Sequence, residues 1–366
     1  MTSQNHPSLS AVLLAAGEGR RMHSERPKPL HRLCGRPMLM YVLDSLAGTD
    51  ARRAVIVVGH KGEWVAKKMQ EHAHHIEIEF VEQRVQRGTG DAAMVGLVGL
   101  PDDDDEGDVL VLPGDAPLLR PGTVADLVAH HRATGAAATL LTARVADPTG
   151  YGRVVRDDGG AVRRVVEQAD ATDEELEIDE INTSIYCFSR NLLSPALRRL
   201  QPDNAQGEYY LTDVVSVLSA AEHAVEALVP AAPAETQGVN DRVQLAAAES
   251  ELRRRTNDGL LRTGVTMLDP TSVFVDTTVE VGRDVTLFPG VILQGSTRVG
   301  DGTELGPNTR LVDCEVGAEC VIEQTTARSA RIGDRSVVGP YASLGPGAEI
   351  ASDVTTGPFY TSDAAS

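Results

Sequence analysis

The sequence predicts an α/β domain followed by a parallel β-helix of hexapeptide repeats, and three observations carry that expectation. Short apolar runs that each empty into a glycine loop punctuate the first part of the chain. An Ala-, Glu- and Arg-rich stretch with helical spacing comes next, and beyond Gly264 apolar residues return every six positions. The expected divisions are 1–239 for the α/β domain, 240–264 for a helical arm and 265–366 for a short β-helix.

Taken in order, Ala11–Ala16 (AVLLAA), Ala54–Val58 (AVIVV) and Val109–Leu112 (VLVL) have no polar face, as expected of parallel strands covered on both sides. Each ends at a glycine, Gly17, Gly59 and Gly114, and ligands of such sheets bind beyond the strand C-termini. Pro37–Leu46 and Thr123–Arg132 carry helical spacing between them. Asp102–Glu106 (DDDDE) reads as a solvated loop. From Asn240 to Leu261 there is no proline and the spacing is helical throughout, which predicts a helix joining two domains.

After Gly264 the texture changes. Val273, Val279, Val285 and Val291 form one six-residue run, Val299, Leu305 and Leu311 a second, and Ile332, Val338, Leu344 and Ile350 a third. Aliphatic-Gly pairs at Val281-Gly282, Val299-Gly300, Val316-Gly317 and Ile332-Gly333 recur at roughly three times that spacing. Six residues per side and three sides per coil describe a three-sided parallel β-helix, here of about five coils. An ordinary sandwich would not hold that register through three runs.

Composition narrows the function. The 366 residues carry 34 Lys plus Arg against 53 Asp plus Glu, a formal charge of −19, which excludes a binder that works by neutralising nucleic-acid phosphates. Only Lys28, Lys61, Lys67 and Lys68 are lysines. The four cysteines, Cys34, Cys187, Cys314 and Cys320, are scattered without zinc or disulfide spacing and read as buried reduced thiols. No run approaches the ~18 apolar residues of a membrane span, and the N-terminus lacks the basic region of a signal peptide. A cytoplasmic protein is expected.

The most informative segment is Leu14-Ala-Ala-Gly17-Glu-Gly19-Arg-Arg21-Met, followed by Arg26-Pro-Lys28-Pro-Leu. It is neither a P-loop nor the dinucleotide fingerprint. A strand emptying into a glycine turn offers backbone N–H groups to a phosphate chain, with Arg21 as a forked donor and Lys28 as a point charge. Glycine turns are also common punctuation, so this segment alone leaves both readings open. The cluster His72, His74 and His75 fits a solvated helix end better than a metal site.

The resemblance of the whole set is more specific. Gln83-Arg-Val-Gln-Arg-Gly88-Thr89-Gly90, Pro113-Gly114-Asp115, Gly150-Tyr-Gly152-Arg153, Val166-Glu167, Glu180-Ile-Asn182-Thr183, Asn204 to Asp213 and Gly238-Val-Asn240 follow in order. Together they resemble the nucleotidyltransferase domain of the bacterial bifunctional N-acetylglucosamine-1-phosphate uridyltransferase / glucosamine-1-phosphate acetyltransferase family, across residues 9 to 245 and on into the arm and β-helix. The resemblance implies a Rossmann-like nucleotidyltransferase domain and a left-handed β-helix. It also implies an Mg²⁺-dependent reaction of UTP with N-acetylglucosamine-1-phosphate, and a homotrimer.

It further implies roles. Leu14, Ala15, Ala16, Gly17, Gln83, Gly88, Thr89 and Gly114 would form the nucleotide pocket, with Arg21 and Lys28 catalytic on the triphosphate. Asp115 and Asn240 would ligate Mg²⁺, and Gly152, Glu167, Asn182, Tyr210 and Thr212 would line the sugar-phosphate pocket. Read singly, Asp115 and Asn240 serve equally well as helix caps.

Departures bear on the function. Arg20 stands where the family has Thr, Pro113 replaces an aromatic, and Ser184 replaces a glycine close to the expected sugar, which leaves open another sugar- or cyclitol-1-phosphate or another NTP. The family's acetyltransferase uses a histidine, with lysine and arginine on the substrate phosphate. This chain has no histidine after His223 and no lysine after Lys68, and the RLRPG segment reads Ser343-Leu-Gly345-Pro-Gly347. The expectation is a one-activity member without acetyl transfer. A silent scaffold of the same fold is the remaining alternative, opposed by the retained Arg21, Lys28, Asp115 and Asn240.

Overall fold

The structure is a computed structural model, and it describes residues 7–59, 61–70, 76–101 and 107–362. The acidic run at 102–106 and the histidines at 72, 74 and 75 lie outside the described residues. The chain divides into two compact units. One comprises Met1–His31 with Pro37–Leu245, and the other Arg32–Arg36 with Ala246–Ser366.

The first unit is built on one mixed sheet. Its strands are β1 (Leu9–Ala15), β2 (Arg53–Val58), β3 (Glu77–Glu82), β4 (Asp108–Pro113), β5 (Ala138–Arg144), β6 (Arg153–Arg156), β7 (Val162–Val166), β8 (Glu180–Ser189) and β9 (Val225–Leu228). Their spatial order is β9-β5-β8-β4-β1-β2-β3, with β6 pairing β8 and β7. The three apolar runs read from sequence are β1, β2 and β4, and all three are parallel neighbours. Ala11, Val12 and Leu13 are fully buried because helices cover both faces of the sheet. Alternate residues therefore feed two cores, Val12 and Val111 into one and Leu13 and Leu112 into the other.

The sequence did not reveal that β8 runs antiparallel to both β4 and β5. Its ten residues shift register between Asn182 and Ile185, where Ser184 takes a left-handed φ of 60°. A bulge of this kind re-aims the strand locally. The helical segments expected at Pro37–Leu46 and Thr123–Arg132 appear as Met38–Asp44, continued by a 3₁₀ turn, and Pro121–Thr134.

The second unit stacks three parallel sheets of five, six and five strands, each only two or three residues long. The runs ending at Val291, Leu311 and Ile350 point inward as the six-residue period requires. Two inward positions exist per side, and aliphatic counting reveals one continuous ladder only in part. The register of Val285 and Val291 continues through Thr297, Thr303 and Thr309, all fully buried. Their hydroxyls are satisfied by backbone: Thr303 Oγ1 donates to the Gly317 carbonyl at 2.9 Å and accepts from the Cys320 amide at 3.1 Å. Cys314 and Cys320 occupy this narrower register, and all four cysteines are buried free thiols. The aliphatic-Gly pairs mark where successive coils touch. A Cβ on Gly300 would lie 2.6 Å from the Ala318 amide nitrogen.

Helix Arg242–Arg262 supplies the arm. Within the second unit it holds the first coil through Asn257, whose Nδ2 donates to the carbonyls of Pro270 at 2.8 Å and Val273 at 3.0 Å. The short hairpin at 32–36 joins the same unit, with the Cys34 amide donating to Glu249 Oε2 at 2.8 Å and the Thr277 amide to the Cys34 carbonyl at 3.2 Å. Among the described residues, no helix is long and apolar enough to cross a membrane.

Candidate active site

A cleft of about 440 Å³ opens in the first unit beyond the C-terminal ends of β1 and β4. This is where a doubly covered sheet leaves backbone groups free for a ligand. Leu14, Ala16, Gly17, Arg21, Gln83, Gly88, Thr89, Asp115, Gly152, Glu167, Asn182 and Asn240 all line it. Residues spread over more than 220 positions of sequence are thus gathered by the ends of five strands and the loops between them.

The nucleotide side rests on close backbone packing. The Gly114 amide donates to the Leu14 carbonyl at 2.9 Å, locking the two strand ends together. No atom lies within 4 Å of a Cβ built on Gly17, so the glycine wall faces open space. Gly88 has a φ of 109°, and a Cβ there would stand 2.5 Å from the Tyr209 carbonyl oxygen, which requires glycine. Gln83 is buried, and its Nε2 donates to the Gly88 carbonyl at 3.2 Å and to Asp91 Oδ2 at 2.8 Å. Gln86, unassigned by the sequence reading, donates to the Ala16 carbonyl at 2.5 Å and lines the same wall.

Three polar groups meet at the centre. Lys28 Nζ donates to Asp115 Oδ2 and, at 2.9 Å, to Asn240 Oδ1. The Val239 amide donates to the Asp115 carbonyl at 2.8 Å, which brings Asn240 beside Asp115 across the fold. Neither residue caps a helix. Helix Pro121–Thr134 begins after Arg120, and helix Arg242–Arg262 is capped by Asp241, whose Oδ1 accepts from the Gln244 amide at 2.8 Å. The capping alternative is corrected by that geometry.

Arg21 sits in the 3₁₀ turn Arg20–Met22. Arg242, at the start of the arm helix, donates from Nε to the Met22 carbonyl at 3.0 Å and approaches His31 Nδ1 at 3.3 Å. Burial, then the charges of Arg242 and Arg26, hold the His31 imidazole below its ordinary pKa, so it stays neutral beside the guanidinium. Nothing in the sequence pattern marked Arg242 as the support of this turn.

On the opposite side, Glu167 accepts from Thr212 Oγ1 at 3.1 Å. Burial raises its carboxyl above the ordinary range, the Thr212 hydrogen bond opposes that shift, and Asp213 and Asp170 add to it. A Cβ on Gly152 would lie 3.4 Å from Glu167 Oε2, so the glycine keeps this wall open. Asn182 Oδ1 accepts from the Ser184 amide at 3.3 Å, and Ser184 lines the cleft from the bulge in β8.

Five expected residues do not line the cleft. Lys28 reaches it through Asp115 and Asn240, and Thr212 through Glu167. Ala15 turns its side chain into the core, and Gly114 backs it, with a virtual Cβ 2.9 Å from Ala15 Cβ. Tyr210 is buried, and its hydroxyl has no hydrogen-bond partner among the described residues. Burial and the surrounding Asp170 and Glu167 charges raise that phenol to about 12. Tyr151, Thr183, Glu208, Thr236 and Gly238 line the cleft without having been assigned.

A mixed α/β sheet with a glycine turn, one forked cation, one ammonium and paired oxygen donors at the strand ends defines a phosphate-handling transferase. The nucleotidyl transferase family matches residues 10–232. The chain is 48% identical over 326 residues to the bifunctional protein GlmU of Thermobifida fusca, covering 88% of this chain and 67% of that protein. It is 46% identical over 352 residues to the bifunctional protein GlmU of Mycolicibacterium vanbaalenii, covering 96% and 71%. With that of Corynebacterium efficiens it shares 40% over 359 residues, 98% and 74% of the two chains. The chain belongs to the GlmU family of nucleotidyl transferases and is a sugar-1-phosphate nucleotidyltransferase.

Proposed function

We propose that the chain couples UTP and N-acetylglucosamine-1-phosphate to UDP-N-acetylglucosamine and pyrophosphate, with Mg²⁺ as cofactor and without acetyl transfer. The observation that carries this reading is the convergence of Asp115 and Asn240 on one ammonium at the junction of the two halves of the cleft.

That point fits a divalent cation. One carboxylate and one amide oxygen already converge on a positive charge, and hard cations take oxygen donors of this kind. Two protein donors would leave the remaining positions of such a cation for phosphate oxygens and water, as magnesium prefers. Asp115 and Asn240 would hold Mg²⁺, which would supply neutralisation of phosphate charge.

The protein's own groups then position and neutralise. A sugar-1-phosphate oxygen is an anionic nucleophile near neutral pH, so no general base is required. Leu14 to Gly17 and Gly114 hold the nucleotide against the strand ends, and Gln83, Gly88 and Thr89 present the base-reading edge. Arg21 and Lys28 bind the triphosphate and the charge growing on pyrophosphate, by geometry fixed in advance. Lys28, paired with Asp115 in the structure, would turn its ammonium to the triphosphate when substrate binds. Gly152, Glu167, Asn182, Tyr210 and Thr212 orient the sugar phosphate, Tyr210 and Thr212 by supporting the wall from behind.

A second reading, another sugar- or cyclitol-1-phosphate, is favoured by Ser184, which lines the cleft beside Asn182. Pyrophosphate release across four NTPs and a panel of sugar-1-phosphates separates the two. Turnover confined to UTP and N-acetylglucosamine-1-phosphate supports the first; preference for a different pair supports the second. NTP binding without turnover of any pair would leave a non-catalytic scaffold. We further propose a cytoplasmic homotrimer associated through the flat sheets of the β-helix.

A further inference from the structure

Tyr151 is the one aromatic residue among those lining the cleft, and its backbone is fixed on every side. Its amide donates to the Pro148 carbonyl at 3.2 Å, and its carbonyl accepts from Arg153 Nη1. The next carbonyl, that of Gly152, accepts from the Asn182 amide at 2.8 Å. The preceding amide, that of Gly150, donates to Gln168 Oε1, an oxygen that also lies 3.5 Å from both terminal nitrogens of Arg153. Arg153 is only 2% exposed, and Asp147 lies within reach of its charge. A buried guanidinium is costly unless its N–H groups are taken up, and Nη1 here donates to the carbonyl of Tyr151.

The side chain stands in contrast to this rigid backbone. The Tyr151 hydroxyl makes no hydrogen bond with a described residue. Burial and the Asp115 charge keep the phenol protonated, so it is a donor throughout the neutral range. The need for a donor follows from the lining itself. Arg21 is the only cation among the lining residues, whereas Asp115, Glu167 and Glu208 are all carboxylates. A sugar phosphate entering between Asp115 and Glu167 has a carboxylate on either side, one of them paired with Lys28, and Arg21 as its one lining cation.

We propose that the Tyr151 hydroxyl donates a hydrogen bond to the phosphate of the incoming sugar phosphate, with Arg153 as the positioning residue that holds its loop. The proposal rests on the nucleotidyltransferase reading given above and adds a substrate contact to it. A neutral donor satisfies an anion here without disturbing the cation point at Asp115 and Asn240. Removal of the hydroxyl alone removes one charge-assisted hydrogen bond and leaves the ring in place.

The test is calorimetric binding of N-acetylglucosamine-1-phosphate to the full chain, with Mg²⁺ and a non-hydrolysable UTP analogue present, together with turnover. Tyr151→Phe is expected to weaken sugar-phosphate binding by about tenfold or more and to leave affinity for the UTP analogue and the melting temperature unchanged. Arg153→Met should weaken it likewise, and Arg153→Lys should recover part of the loss. Binding by Tyr151→Phe within about twofold of the parent overturns the contact, whatever the turnover shows. A parent that binds the sugar phosphate but releases no pyrophosphate defeats the functional reading while the binding comparison still judges Tyr151. A parent that binds no sugar phosphate overturns both.

Discussion

Asp115, Asn240 and Lys28 meet at one point, so their substitutions should differ in kind. Asp115→Ala removes a charge from the cation point and is expected to lower kcat by at least about a hundredfold, as losing one preorganised electrostatic partner does. Lys28→Ala leaves Asp115 without its ammonium and should raise the Mg²⁺ affinity while kcat falls. A magnesium titration of pyrophosphate release distinguishes them, and an unchanged kcat in Asp115→Ala would remove that residue from the mechanism. Ser184 is a separate case. A serine in the left-handed region costs about 1–2 kcal/mol, part of which Ser184→Gly regains because glycine gives up more freedom on folding. The glycine variant should melt slightly higher in urea and change its ranking of sugar phosphates. An unchanged ranking would mean that the hydroxyl does not face the substrate. Glu167 carries a pH-dependent expectation. Its carboxyl is raised in the fold, chiefly by burial, so the charged form is disfavoured there; this cost is absent at pH below the unfolded value, grows between the unfolded and the folded value, and is constant above it. Glu167→Gln should therefore be more stable than the parent at neutral pH, with the difference closing in acid, while sugar-phosphate affinity falls. Urea melts across that pH range check the sign.

At the scale of elements, the legible features were those with a strong local period or a fixed turn requirement. The runs of β1, β2 and β4 have no polar residue to place outside, and the six-residue repeat leaves one way to bury Val285, Val291 and Leu311. The antiparallel β8 was not legible, because a strand buried on both faces has the same composition whichever way it runs. The threonine ladder was hidden for a related reason: Thr297, Thr303 and Thr309 are polar by type and fully buried because neighbouring coils satisfy their hydroxyls. Cleft-lining residues were legible where a motif quoted them, as at Gly17, Gln83 and Asp115. Arg242, Arg153 and Gln168 support the cleft through backbone carbonyls and amides, and such partners follow from tertiary proximity alone. Arg242→Ala frees the Met22 carbonyl and with it the turn that carries Arg21. Its expected effect is a rise of about tenfold in the KM for the NTP, as for loss of a hydrogen bond from a charged group, with little change for the sugar phosphate. Equal changes for both substrates would show a general loss of structure instead.

For the whole molecule, the question is how many reactions one chain of this family performs. The relatives are bifunctional by name, and the second unit here has the stacked parallel sheets of a hexapeptide β-helix. Its interior is aliphatic, threonine and cysteine, and its buried thiols, Cys314 and Cys320, are raised above their ordinary pKa chiefly by burial, which makes them inert as nucleophiles. Its outer strands carry arginine–carboxylate pairs between coils, such as Arg335 with Asp353 at 2.7 Å and Arg331 with Glu315 at 3.0 Å. From residue 224 onward the chain offers neither an imidazole to take the amine proton nor an ammonium to grip a sugar phosphate. Acyl transfer to an amine needs a proton acceptor near its working pH, and the sequence after His223 carries no histidine for that role. The purified chain should therefore release no thiol from acetyl-CoA with glucosamine-1-phosphate while it releases pyrophosphate from UTP with N-acetylglucosamine-1-phosphate. Under the function proposed above the substrate arrives already acetylated, and glucosamine-1-phosphate should be used more slowly in the pyrophosphate assay. Thiol release that depends on glucosamine-1-phosphate would locate an acetyl-transfer site that does not use histidine. If the β-helix instead serves association, sedimentation should give a trimer, and a Gly300→Asp change should weaken it together with the fold of the coils, because any Cβ at Gly300 meets the backbone of the next coil.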